Sequence, residues 1–153
     1  MFVRIARVTL LVGALVMTMM APPAFASHQN PPFEPCNGTV VDSFPAHYDG
    51  EVIGRLRIYR NDDWHCAEFW HAGASYGVAR DTYVYIVKCE ATSSSAQYCT
   101  EIGHGGPDHD QYSYYAGGVR VLAGSHCIQA NGWVYWQGAR RKAHTPATSF
   151  CQP

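Results

Sequence analysis

The stretch His104-Gly105-Gly106-Pro107-Asp108-His109-Asp110 carries two imidazoles and two carboxylates within seven residues. Imidazole and carboxylate are zinc ligands, and both serve as acid–base groups in hydrolysis. A catalytic zinc, however, takes three protein ligands on rigid elements, each steadied by a partner of its own. Here Gly103, Gly105, Gly106 and Pro107 interleave the polar residues, and aspartate is an ordinary turn residue because it bonds its own backbone. The spacing therefore reads as the polar tip of a hairpin, with no metal ligand and no cofactor assigned. A small hydrolase built on His104, Asp108, His109 and Asp110 is the remote alternative.

Two further patterns invite catalysis and fail on context. Residues 73–77, GASYG, match G-x-S-x-G, but that motif works on a strained strand-to-helix turn above a parallel sheet. No helical period surrounds Ser75, which reads as a Gly-flanked turn. Glu68, Glu90 and Glu101 could form a glycosidase pair only through their separation in space, which spacing in sequence does not supply.

Aromatic residues are the more informative surplus. In NGWVYWQG, alternation sets Trp133 and Tyr135 on one face and Val134 and Trp136 on the other. In YSYYAG it sets Tyr112 and Tyr114 opposite Tyr115, and WHCAEFW adds Trp64 and Trp70. Outward aromatic rings bind sugars, peptides or surfaces, so Trp133, Tyr135, Trp136, Tyr112 and Tyr114 are the candidate binding residues. The competing use of the same rings is burial in a small core.

The elements that must carry these side chains are strands. Short runs rich in β-branched and aromatic residues (GTVVDSF, VIGRLRIYR, WHCAEFWH, TYVYIVKC, YSYYAGGVRVL, HCIQA, GWVYWQG) alternate with Gly, Asn and Asp clusters. Leu56 and Ile58 alternate with Arg55 and Arg57, and Val84 and Ile86 with Tyr83, Tyr85 and Val87. No segment keeps a 3.6-residue apolar period for three turns. The expected fold is all-β: a single antiparallel sandwich or barrel stapled by three disulfides and preceded by a signal-peptide helix.

Residues 1–26 read as that signal peptide. Arg4 and Arg7 precede an apolar run of 13 residues, and Ala24-Phe25-Ala26 forms a cleavage site. The run is short of the roughly 20 residues needed to span a bilayer, so no membrane span is expected after cleavage. Residues 27–35, with three prolines, read as a flexible tail, and residues 36–153 as the domain. Loss of Arg4 and Arg7 leaves nine basic residues against twelve acidic ones, a net charge of −3. That balance argues against nucleic acid as a partner. The one basic run, Arg140-Arg141-Lys142, sends Arg140 and Lys142 to one face of a strand, where a small anion site competes with a solvated edge.

All six cysteines lie in the exported part, which reads as a disulfide framework with fifteen possible connectivities. Cys89 and Cys99 flank a small polar loop and make the most natural pair. No C-x-x-C spacing supports zinc or thioredoxin-like chemistry.

The motifs CNGTVVDSFP, GRLRIYRNDDWHC, YSYYAGGVRVLAGSHCI and SFC, spread from Cys36 to Cys151, resemble the small secreted proteins of filamentous, Streptomyces-type actinobacteria typified by spore-associated protein A. Val41-Asp42-Ser43, Tyr59, Cys66, Tyr114-Tyr115-Ala116-Gly117, Val119, Cys127 and Cys151 carry the likeness. Gly118 departs from it, standing where the family has proline. The resemblance makes Cys89–Cys99 an extra pair and leaves four cysteines, for which Cys36–Cys151 and Cys66–Cys127 are the expected bridges. It implies a non-enzymatic exported protein that binds or coats a spore-surface or cell-wall polymer. The alternative is an inhibitor or effector that docks HGGPDHDQ or the Cys89–Cys99 loop into a secreted protein.

Overall fold

The computed structural model describes residues 33–151; the expected signal-peptide helix at 1–26 lies outside them. Eight antiparallel strands follow in chain order. They are β1 (Thr39–Tyr48), β2 (Glu51–Asn61), β3 (Trp64–His71), β4 (Arg80–Cys89), β5 (Glu101–Tyr112), β6 (Tyr115–Leu122), β7 (Ile128–Trp136) and β8 (Ala139–His144). Sheet one has the order β1-β2-β3-β6 and sheet two the order β5-β4-β7-β8. The chain is thus the expected all-β sandwich, crossing between sheets after β3, β5 and β6.

Alternation builds the core between the sheets. Leu56, Ile58, Ala67 and Phe69 from sheet one meet Val84, Ile86, Ala130 and Val134 from sheet two, all fully buried. Phe69 lies between two glycines, one from each sheet. A Cβ on Gly54 would stand 2.5 Å from its ring, and one on Gly132 would stand 2.6 Å from it. The hairpin turns follow the residue types. Asp49-Gly50 and Gln137-Gly138 both have two consecutive positive φ values, the type I′ pattern that matches strand twist.

The hairpin tip expected at residues 103–110 is not a tip. These residues lie within β5, paired with β4. Their glycines serve close approach between sheets rather than a turn. A Cβ on Gly105 would collide with the Arg120 carbonyl of β6, and one on Gly106 would stand 2.8 Å from Val119 Cγ1. A register shift opposite Val84–Ile86 bends the strand here.

Three disulfides form, and Cys89–Cys99 is one of them. The other two differ from expectation: Cys36 pairs with Cys66 and Cys127 with Cys151, not Cys36 with Cys151 or Cys66 with Cys127. Alternation explains the difference. Ala67 and Phe69 enter the core, so Cys66 between β3's inward residues faces out from sheet one, away from Cys127. Cys36 reaches Cys66 because its N–H donates to Glu68 Oε1 at 2.7 Å. Cys151 reaches Cys127 because Ser149 bridges to Ile128. Residues 33–35, the end of the expected flexible tail, lie against β6, where the Glu34 carbonyl accepts from Arg120 at 3.2 Å.

Candidate ligand-binding face

The polar cluster in β5 is divided by the strand it sits on. Asp108 points inward and is 2 % exposed. Its Oδ1 accepts from the Tyr112 hydroxyl at 2.5 Å and its Oδ2 from the Gly117 N–H at 2.6 Å, which ties β5 to β6. Burial pushes its pKa above the usual carboxylate range against the pull of those two donors. His104 and His109 point outward on sheet two. Among the described residues, no group of three or more His, Cys, Asp or Glu side chains is placed to hold a metal ion.

Ser75 closes a 3-10 turn, Gly73–Ser75, and is fully buried. Its hydroxyl donates to the Ile53 carbonyl at 2.5 Å. The neighbouring His71 donates from Nδ1 to the Ser75 carbonyl at 3.1 Å and bonds the Thr82 hydroxyl through Nε2 at 2.8 Å. That geometry fixes a turn and leaves the serine hydroxyl without a base. Glu68 is likewise structural. It is 1 % exposed on sheet one and accepts from Cys36 N–H and, at 2.7 Å, from Trp70 Nε1. Glu101 belongs to the other sheet and Glu90 follows β4, so Glu68 forms a carboxylate pair with neither.

The five aromatic candidates do not share one face. Trp133 and Tyr135 do, on the outside of sheet two. Trp136 and Tyr112 belong to the core, 8 % and 1 % exposed. Val134 and Trp136 point the same way by strand period, and Tyr112 is drawn inward by its bond to Asp108. Tyr114 sits at the β5–β6 turn, edge-to-face with Tyr76 at 5.2 Å.

The outside of sheet two nevertheless assembles a continuous aromatic and polar surface across all four strands. Cross-strand register places His109, Tyr83, Trp133 and Lys142 in one row. The Tyr83 and Trp133 rings are stacked, centroids 5.6 Å apart and 9° from parallel. His109 meets Trp133 edge-on at 5.3 Å, held by Asp81 Oδ1 at 2.6 Å from its Nε2. The Arg140 guanidinium lies over the Trp133 ring, 4.3 Å from its centroid. Trp133, packed by Tyr83, His109 and Arg140, is only 7 % exposed, while Tyr135 beside it is 44 % exposed. In the adjacent row, Tyr85 donates to Glu101 at 3.1 Å, and the same carboxylate bonds His104 Nδ1 at 2.8 Å. Asn131, Trp133, Arg140, Lys142 and His144 line a shallow cleft of about 320 Å³.

Sequence reasoning named Trp133, Tyr135, His104 and His109 but passed over Tyr83 and Tyr85. Their signal was present, since alternation in TYVYIV had already put both tyrosines opposite the core residues Val84 and Ile86. A smaller cleft of about 310 Å³ lies on sheet one beside the Cys36–Cys66 bridge, lined by Asn37, Asn61, Trp64, Cys66 and Arg120.

Compared with protein-family models, curated proteins and solved structures, the chain matches none of them. It is a small antiparallel β-sandwich with three disulfides, the chemistry of an oxidising compartment. Among the described residues, no helix is long and apolar enough to cross a membrane.

Proposed function

We propose that this is a secreted, non-enzymatic protein that binds or coats a polymeric surface through the outside of sheet two. The observation that carries the reading is the Tyr83–Trp133–Arg140 stack, with Tyr135, His109, Asn131 and Lys142 around it. Its rings are fixed by their neighbours before any ligand arrives, so little side-chain entropy is lost on binding. The surface spans four strands and is open, which suits a chain or a wall better than an enclosed small molecule. Spore or cell-wall association, as the resemblance to the spore-associated protein A-like family implies, is the finer form of this proposal.

Co-sedimentation of the oxidised protein with spores, isolated cell wall and chitin tests it. Saturable binding to at least one, weakened about tenfold by Tyr135→Ala in a protein of unchanged melting temperature, is the expected result. Failure to sediment with any of them would remove the proposal.

A second reading has one observation behind it. The Cys89–Cys99 loop presents Tyr98 at 80 % exposure and is pinned from inside by the Thr148 hydroxyl, which donates to Ala96 O at 2.7 Å. A clamped loop with an exposed tyrosine suits docking into a partner protein. That reading predicts a stoichiometric complex that Tyr98→Ala disrupts and Tyr135→Ala leaves intact.

A further inference from the structure

We propose that β8 reads the repeating oxyanion of an extracellular acidic polysaccharide, with Arg140, Lys142 and His144 as the recognition row. The inference rests on the reading that this face binds a polymer, and it adds what the polymer must carry.

β8 is an edge strand of sheet two, paired on one side to β7. Its inward residues are Arg141, whose guanidinium lies over Tyr48 at 4.6 Å, and the buried Ala143. The intervening Arg140, Lys142 and His144 are all exposed and point to the outer face. Alternate residues on a strand recur about every 7 Å, so the three positions form a row roughly 14 Å long. A single carboxylate or phosphate is far shorter than that row.

Arg140 is the anchor. Its Cζ lies over the Trp133 ring, 4.3 Å from the centroid, and Tyr83 stacks with the same tryptophan. A guanidinium carries a planar fork of N–H donors, and that fork matches the two oxygens of a carboxylate or phosphate. No ion pair engages Arg140 or Lys142 among the described residues. The outward carboxylates of β4 and β5, on the far side of β7, are already occupied, Asp81 by His109 and Glu101 by His104. Arg140 and Lys142 are therefore uncompensated on a domain whose expected net charge is −3, so their charge does not follow from a generally basic composition.

The groups between the charges fit sugar. Tyr135, opposite Arg140 in register, offers a half-exposed ring, and Asn131, opposite His144, offers an amide in the same cleft. Nucleic acid is the less suitable polyanion, because a phosphate-backbone binder gathers many Lys and Arg side chains into a basic patch and the outer side of β8 carries only Arg140 and Lys142.

Calorimetric titration of the oxidised full-length secreted protein would use four probes. These are polygalacturonate (repeating carboxylate), a phosphomannan (repeating phosphodiester on sugar), neutral dextran and single-stranded DNA. At low salt, one or both of the first two should bind, and the affinity should fall as salt rises. Arg140→Gln should weaken it about tenfold or more, Arg140→Lys should recover only part of that loss, and Lys142→Gln should add to it. Arg55→Gln, on the other sheet, should leave it unchanged. The first two probes tell a uronate from a phosphodiester source. Equal binding of dextran, tighter binding of DNA, or unchanged affinity in the Arg140→Gln/Lys142→Gln protein would overturn the inference. Retained sedimentation with cell wall but no response to either polyanion would sink this inference and leave the coating function standing. Absence of both would sink the two together.

Discussion

His65 is the residue whose chemistry is least reconciled with its place. It lies on the core side of β3, fully buried beside Phe150, and neither ring nitrogen has a hydrogen-bond partner among the described residues. Burial, helped by the Arg60 charge, lowers its pKa from 6.5 to about 4. The neutral form is thus favoured in the folded protein, whereas the unfolded chain takes up a proton near pH 6.5. Stability is full above that pH, declines as pH falls from about 6.5 to about 4, and levels off below. The span corresponds to about 3 kcal/mol for this one group. Denaturant titrations of wild type and His65→Leu at pH 7 and pH 4.5 check it, with the His65 contribution to the pH dependence expected to vanish in the variant. A dependence of the same size in both proteins would assign the effect elsewhere. Gly132 is strict for a different reason. A Cβ there would meet Phe69 at 2.6 Å and the Tyr83 carbonyl at 3.0 Å, one a core ring and the other backbone. Gly132→Ala should cost about 1–3 kcal/mol, measured as a lowered denaturation midpoint.

At the scale of elements, the strands could be read from sequence wherever alternation was undisturbed. Arg55/Leu56/Arg57/Ile58 and Tyr83/Val84/Tyr85/Ile86 show their faces directly. β5 was obscured because its glycines do two jobs that look alike in sequence. Gly105 and Gly106 allow β6 to approach closely, yet beside Pro107 and Asp108 they imitate a turn. The disulfides show the same limit. Cys89–Cys99 closes a local hairpin and was legible, whereas Cys36–Cys66 and Cys127–Cys151 depend on which face of β3 is outward and on Ser149 reaching Ile128. Alternation in WHCAEFWH did carry the first of these facts, since Cys66 stands between inward residues. Because the Cys89–Cys99 bridge spans only 10 residues, replacing both cysteines by serine should cost about 2–3 kcal/mol. The proposed binding of sheet two to wall polymer should survive that change. Chemical denaturation and co-sedimentation on the same preparation separate the two effects.

The whole molecule presents two unlike surfaces on either side of one core. Sheet one carries the Trp70–Tyr115 stack, rings 4.5 Å apart, under Arg57, with Glu68 tying down the chain before β1. Those contacts hold the molecule together. Sheet two carries the packed Trp133, the exposed Tyr135 and the cationic edge. The aromatic surplus in the sequence could not be divided between core and surface by composition; Tyr112 and Trp136 went inward and Tyr83 and Tyr85 came out. Two rings give an internal comparison, since Tyr135 on sheet two is 44 % exposed and Trp64 on sheet one 45 %. Hydroxyl-radical footprinting of the protein free and bound to cell wall would read both at once. The account predicts that binding protects Tyr135 and leaves Trp64 oxidised as before. Protection of Trp64 with Tyr135 unchanged would put the binding face on the other sheet and contradict it.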